Sequence, residues 1–275
     1  MKFPFYSVTR ILEEIKKRKG NIRKSLGQNF LIDPNYVEKI YQIIIKEIPK
    51  GSLLLEIGPG LGALTHKLLF DYQMHLVEID PLLCDILKSE IIKNESVILN
   101  NQDILIYLKE NPSKYEFLIG NLPYYITTDI FTNCVQYAKK PAKLIFLVQK
   151  EYADKLIMKN NSISIYLHNY GRIERFFSIP KESFYPKPEV HSSLILFELW
   201  EKTYSDPEVL QKVLRMSFRG KRKKLINSWK MAEEFISISL LKEGAKELSI
   251  DIEKRAEDID FRLFYELVNY VVKNS

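Results

Sequence analysis

Short apolar runs alternating with helix-patterned stretches constrain this chain more than any other feature. Ser52–Ile57, Met74–Ile79, Val97–Leu99, Phe117–Ile119 and Lys143–Val148 read as strands. Between them come helical signals. Asp33-Pro34 pairs an N-cap with a proline at the first helical position, opening a helix to about Ile48. Gly58-Pro59-Gly60-Leu61-Gly62 turns the first of these strands into a helix over Leu64–Phe70, and another helix follows Pro81. Strands alternating with helices predict an α/β, doubly wound parallel sheet. Later the pattern changes. Ser162–Tyr170 and Arg172–Ser178 alternate like a two-stranded ribbon, and Ser192–Leu199 reads as a last strand after the loop Phe184–Pro188. From about Ser205 only helical periodicity remains. The expected division is a charged, loosely attached extension over 1–24, an α/β domain over 25–202 and a helical domain over 203–275.

Composition narrows the partner. The 275 residues are 46% hydrophobic, enough for a sizeable core, and the net charge is +6. That charge is clustered: Lys16-Lys17-Arg18-Lys19 with Arg23 and Lys24 form one group, and Arg219-Gly220-Lys221-Arg222-Lys223-Lys224 another. Clustered cations favour folded or single-stranded nucleic acid, against the plainer reading of solvated helix ends. Cys84 and Cys134 stand far apart without metal-ligand spacing, and His66, His75, His168 and His191 show none either, so neither a disulfide framework nor a metal is expected. The N-terminus lacks the apolar core of a signal peptide, and no run approaches the roughly 18 residues of a membrane helix. A soluble cytoplasmic protein with no membrane partner is expected.

The chemistry gathers at strand ends, where open α/β sheets bind ligands. Glu56-x-Gly58-x-Gly60-x-Gly62 follows the first strand of the alternating series; its glycines let the backbone approach a nucleotide-like ligand closely. Glu56 beside that turn disfavours a pyrophosphate and suits a ligand carrying positive charge. Glu78, ending the next strand, can accept both hydroxyls of a ribose. Asp103, after the third, can accept from an adenine amine or simply cap the helix from Ile104. Asn121-Leu122-Pro123-Tyr124-Tyr125 follows the fourth: an amide that donates and accepts, a stiff proline and an aromatic face. That set suits a flat, neutral, nitrogen-bearing ring.

Gly27-Gln28-Asn29-Phe30-Leu31, Glu56–Gly62, Asn121–Tyr124 and Phe184-x-Pro186-x-Pro188-x-Val190-x-Ser192 occur in the order seen in the ribosomal RNA adenine dimethyltransferases. The chain resembles that family over about Lys24 to Asn227, most of all its bacterial small-subunit members. The resemblance implies a class I, Rossmann-like methyltransferase fold: a seven-stranded sheet with an antiparallel last strand, and a small all-α C-terminal domain. It implies methyl transfer from S-adenosylmethionine, leaving S-adenosylhomocysteine, to N6 of two adjacent adenosines in a hairpin near the 3′ end of 16S rRNA. The implied partner is 16S rRNA in the immature 30S subunit, and the protein is expected to be monomeric. Residue by residue, the resemblance assigns donor contacts to Asn29, Leu31, Gly58, Glu78, Asp103 and Asn121. It assigns the chemistry to Asn121, Leu122, Pro123, Tyr124 and Phe184, with Tyr124 and Phe184 sandwiching the target adenine. Tyr125, where some members have Asn, and His191, where others have Asp, depart from the pattern without touching those assignments. Lys223-Lys224-Leu225-Ile226-Asn227 lies close to the family's basic element. Alternatives are an Erm-type large-subunit methylase, an assembly factor without activity, and an NAD-linked oxidoreductase. The last calls for a G-x-G-x-x-G turn and leaves Asn121–Tyr124 without a purpose.

Overall fold

The structure, a computed structural model, describes residues 3–92, 97–232 and 235–275. Its strands in chain order are β1 (Phe30–Leu31), β2 (Leu53–Ile57), β3 (Gln73–Glu78), β4 (Val97–Asn101), β5 (Phe117–Asn121), β6 (Ala142–Gln149), β7 (Gly171–Ile179), β8 (Phe184–Tyr185) and β9 (Ser192–Leu199). Contacts divide the chain into two units, Met1–Ala153 with Glu174–Leu199, and Asp154–Ile173 with Trp200–Ser275.

The first unit is built on a seven-stranded sheet in the order β4-β3-β2-β5-β6-β9-β7. Strands β4 to β6 run parallel, while β9 is antiparallel to β6, from Ala142 opposite Leu199 to Gln149 opposite Ser192. Burial explains the apolar runs: Leu54, Leu118, Leu144 and Phe146 have no exposed surface, because helices cover the sheet. The chain leaves β2 toward β3 and β4, then returns to lay β5 on β2's other side. The order therefore reverses between β2 and β5, which is where such sheets bind ligands. Register puts Ile57 opposite Gly120, so the turn from Gly58 and the loop from Asn121 leave the sheet side by side. Gly120 is required there: a Cβ would lie 2.5 Å from the Ile57 carbonyl oxygen.

Residues 1–24 differ from the expected loose extension. A 3-10 turn, Pro4–Tyr6, and a helix, Val8–Lys17, put Phe3, Phe5, Ile11 and Ile15 into the same apolar core as Ile40, Leu54 and Ile119. Ile11 and Ile15 stand four apart on one helix face, and that stripe is what docks the segment. Residues 1 and 2 of that extension lie outside the described residues.

The second unit is helical. Ser162–His168, Pro207–Phe218, Leu225–Trp229, Ile238–Glu247 and Phe261–Asn274 surround Trp229, whose indole N–H donates to Ser217 Oγ at 2.9 Å. Ser162–Tyr170, expected as a ribbon strand, is helical through His168. Asn161 Oδ1 accepts from the Ser164 backbone N–H as a cap, Ile165 is fully buried, and the Tyr265 hydroxyl donates to the Ile165 carbonyl. Core contacts override the serine–isoleucine alternation. Residues 154–173 accordingly join the C-terminal helices rather than the span 25–202 expected for the α/β domain.

Candidate functional site

A cleft opens at the ends of β2, β3, β4 and β5, and Gly58, Glu78, Asp103 and Asn121 all line it, with Asn29 and Leu31. Gly58 has φ +61, a left-handed conformation that favours glycine, and a Cβ there would meet nothing within 4 Å. Its backbone is thus open to a close ligand. The Gly60 N–H donates to Glu78 Oε2 at 3.1 Å and the Asp80 N–H to Oε1 at 2.9 Å. Each oxygen keeps a further lone pair for a ligand hydroxyl.

Two carboxyl groups are buried beside this turn. Glu56, 1% exposed, accepts from the Thr65 hydroxyl at 2.7 Å. Burial, and then the Glu78 charge, push its pKa up to about 7. Glu78 is also pushed up to about 7, by burial first, although the Asp80 and Gly60 N–H groups oppose the rise. Burial makes ionising either group costly, and a cationic ligand beside them would offset that cost.

Asp103 is the helix cap that its position allows, and it also faces the cleft. Its Oδ1 caps the helix Ile104–Glu110 through the Leu105 N–H at 2.7 Å, and the residue lines the cleft. Leu31 is buried in β1, opposite Phe184 of β8.

Asn121 carries the most specific geometry. Its Nδ2 donates to the Asn29 carbonyl at 2.8 Å, and Asn29 Nδ2 donates to the Gly27 carbonyl at 3.0 Å. A carbonyl only accepts, so the nitrogen must face Asn29, which fixes the amide's direction. Oδ1 accepts no hydrogen bond among the described residues. Leu122 is held by its N–H, which donates to the Leu147 carbonyl at 3.0 Å; the Leu122 carbonyl likewise accepts none among the described residues. Pro123 is extended at φ −65, ψ 132, and the Thr127 hydroxyl donates to its carbonyl at 2.9 Å, anchoring the turn into the helix Thr127–Tyr137. Tyr124 lines the cleft half-buried, its hydroxyl 2.9 Å from Ser192 Oγ at the start of β9.

Phe184 is not brought to the cleft. Expected to face Tyr124 across a base, it is 2% exposed and sits in the apolar core with Ile179 and Leu196. Pairing of β8 with β1 turns it inward: its role here is to back Leu31. Sequence reasoning missed other lining residues. Tyr125, which departs from the family pattern and carries no assigned role, is 56% exposed and lines the cleft near Asp103 and Glu78, both of which raise its pKa after burial does. Gln28 also lines it; it was visible within Gly27–Leu31 as a motif member without a role. Among the described residues no group of three or more His, Cys, Asp or Glu could hold a metal ion. No described helix is long and apolar enough to cross a membrane.

The first basic run is partly consumed internally. Arg18 pairs with Glu14 and donates to Ser89 Oγ, Lys17 lies 3.8 Å from Glu14, and Arg23 lies 3.7 Å from Asp80; Lys16, Lys19 and Lys24 are exposed. In the second run Lys224 is bound to Glu253 at 2.6 Å, whereas Lys221, Arg222 and Lys223 are exposed.

Comparison with known proteins agrees with this architecture. The chain is 36% identical, over 258 residues covering 90% of it and 98% of the relative, to a ribosomal RNA small subunit methyltransferase A of Mycoplasma mobile. Its fold matches a dimethyladenosine transferase from Plasmodium falciparum with a TM-score of 0.74 at 21% identity, over 88% of this chain and 96% of that one. The 23S rRNA methyltransferase ErmE shares the fold at a TM-score of 0.68 and 19% identity, over 88% and 99% of the two chains. The sheet order with its antiparallel β9 is thus that of the class I methyltransferases. A family model described as ribosomal RNA adenine dimethylase matches residues 19–273. This chain belongs to the ribosomal RNA adenine dimethylase family.

Proposed function

We propose that this protein dimethylates N6 of two adjacent adenosines in the hairpin near the 3′ end of 16S rRNA within the immature 30S subunit, using S-adenosylmethionine. The observation that carries this reading is a pair of acceptors at the end of β5, Asn121 Oδ1 and the Leu122 carbonyl, that have no hydrogen-bond donor among the described residues. The small subunit is favoured over the large by relatives named for it, such as the Mycoplasma mobile protein.

The cleft fits the methyl donor. Gly58 offers bare backbone, Glu78 retains lone pairs for ribose hydroxyls, and Asp103 can accept from an adenine amine. Asn29 and Leu31 also line the cleft, and the Asn29 carbonyl accepts from Asn121. When bound, S-adenosylmethionine supplies a methyl group already activated on a sulfonium. The protein's task is therefore alignment.

The target amine is a poor nucleophile because its lone pair is delocalised into the ring. Asn121 Oδ1 and the Leu122 carbonyl accept its two hydrogens, which draws the lone pair out of conjugation and aims it into the cleft. Asn29 holds the amide in the accepting direction. Tyr124 stacks on the base once it is turned out of its loop, a contact worth roughly 1–3 kcal/mol. After transfer the nitrogen is cationic and strongly acidic, so its proton leaves to water without a dedicated base. A second transfer proceeds with one hydrogen left for the two acceptors. Lys221, Arg222 and Lys223 meet the RNA phosphates.

The test is transfer of radiolabelled methyl groups to unmethylated 30S and 50S subunits. We expect 30S to be labelled, and Asn121→Ala to lower kcat by roughly 100-fold or more, as for other transition-state hydrogen bonds. Wild-type rates from Asn121→Ala would refute the acceptor role, and labelling of 50S alone would reassign the substrate.

A further inference from the structure

The segment ahead of the family motifs also belongs to the cleft. Phe3 and Phe5 line it, as do Gly58–Leu61 and Leu64, although none of the four motifs named above includes them. Both are almost fully buried. The chain reaches that position through two separate clasps.

The first clasp is His66, one turn beyond the glycine loop. The Phe3 ring stacks on its imidazole with centroids 4.2 Å apart and planes 17° from parallel. His66 Nδ1 lies 3.3 Å from the Gly62 carbonyl, and Nε2 lies 3.3 Å from the Tyr6 hydroxyl. Because a carbonyl only accepts, Nδ1 bears the hydrogen and Nε2 accepts from Tyr6. One neutral tautomer satisfies both bonds. Burial keeps the ring neutral, holding its pKa down at about 4, and burial keeps the Tyr6 hydroxyl protonated, pushing it up to about 12.

The second clasp is Gln28. Its Oε1 accepts from the Arg23 backbone N–H at 2.7 Å and its Nε2 donates to Asp80 Oδ2 at 2.7 Å. Asp80 has no exposed surface, and its own N–H donates to Glu78 Oε1. The arm is thus fastened at both sides of the cleft, to the glycine turn and to the carboxylate expected at the ribose. Between the clasps, Ile11 and Ile15 anchor the helix Val8–Lys17 in the core.

We propose that residues 3–28 form a structural part of the methyl-donor site, with Phe3 and Phe5 as its apolar wall and His66 and Gln28 as positioning residues. The inference rests on the cleft being the S-adenosylmethionine site. An apolar wall on this side excludes water from the donor and strengthens the few polar contacts that hold it.

Calorimetric titration with S-adenosylhomocysteine, without RNA, separates the two ideas. Failure of the wild type to bind would overturn the donor-site reading itself. If the wild type binds, Phe3→Ala/Phe5→Ala is expected to raise Kd tenfold or more, and Phe5→Leu, which keeps the apolar bulk, by less than threefold. Should the double variant not fold, Tyr6→Phe and Gln28→Ala open the clasps while leaving the core side chains. Each is expected to weaken binding twofold to tenfold and to speed tryptic cleavage at Lys16–Lys19, with S-adenosylhomocysteine restoring protection. Kd within twofold of wild type in a folded double variant, or in both clasp variants, would overturn the proposal.

Discussion

Replacing Glu56 by Gln tests the electrostatics of the cleft most directly. Glu56 and Glu78 are raised from 4.5 to about 7 in the folded protein, chiefly by burial. An acid whose folded pKa lies above its unfolded value binds more protons in the folded state. Its contribution is therefore fully present below pH 4.5 and is lost as pH rises through about 7. At 1.36 kcal/mol per unit, a shift of this size costs about 3 kcal/mol for each acid at pH 8 relative to pH 4.5. Between pH 5 and 7 the wild type should lose stability with a slope approaching two protons. Gln at 56 keeps the shape and an oxygen for the Thr65 hydroxyl, but cannot ionise. It should roughly halve that slope and, at about 2–4 °C per kcal/mol, raise Tm at pH 8 by as much as roughly 6–12 °C. Scanning fluorimetry of both proteins from pH 5 to 8 measures this. An unchanged pH slope, or a lower Tm at pH 8 in the variant, would refute the reasoning. The same substitution should weaken binding of the cationic donor, because it removes the charge that the donor offsets.

Three further outcomes follow from other contacts. Tyr124→Ala should reduce methyl transfer to 30S subunits far more than Tyr124→Phe, since stacking needs the ring, whereas the hydroxyl only reaches Ser192; equal losses would disprove the stacking role. Gly120→Ala should cost at least about 2 kcal/mol in urea unfolding, because its Cβ meets the Ile57 backbone and cannot be relieved by a rotamer. Replacing Lys221, Arg222 and Lys223 by Ala should lower the slope of log affinity for RNA against log salt by about 2–3, as expected for three lost phosphate contacts; an unchanged slope would remove this run from the RNA interface.

Much of the architecture is local and could be read along the chain. The apolar runs of the strands, the Asp33 and Asp103 caps and the turn at Gly58 are set by residues close together in the sequence, and all are present. Cleft membership of Gly58, Glu78, Asp103 and Asn121–Tyr124 was likewise legible, because sheet topology delivers every parallel strand's end to one edge, whereas Asn29 and Leu31 were indicated only by the family resemblance. What local pattern misjudged was decided by distant partners. Ser162–His168 alternates like a strand but is helical because its buried face meets Tyr265, 100 residues away. Residues 1–24 read as a loosely attached extension because their charges outnumber Phe3, Phe5, Ile11 and Ile15, which dock the segment. The family resemblance assigns Phe184 to base stacking, yet its pairing opposite Leu31 turns it into the core.

The sequence by itself determined which chemical groups reach the cleft: an amide, a tyrosine face, acids and a bare glycine backbone. Only the tertiary structure decided how they are aimed. Asn121 turns its Nδ2 to the Asn29 carbonyl, 92 residues earlier, which leaves Oδ1 as the end of the amide available to accept. Side-chain identity sets what a group can do, but direction depends on the partner that occupies its other end.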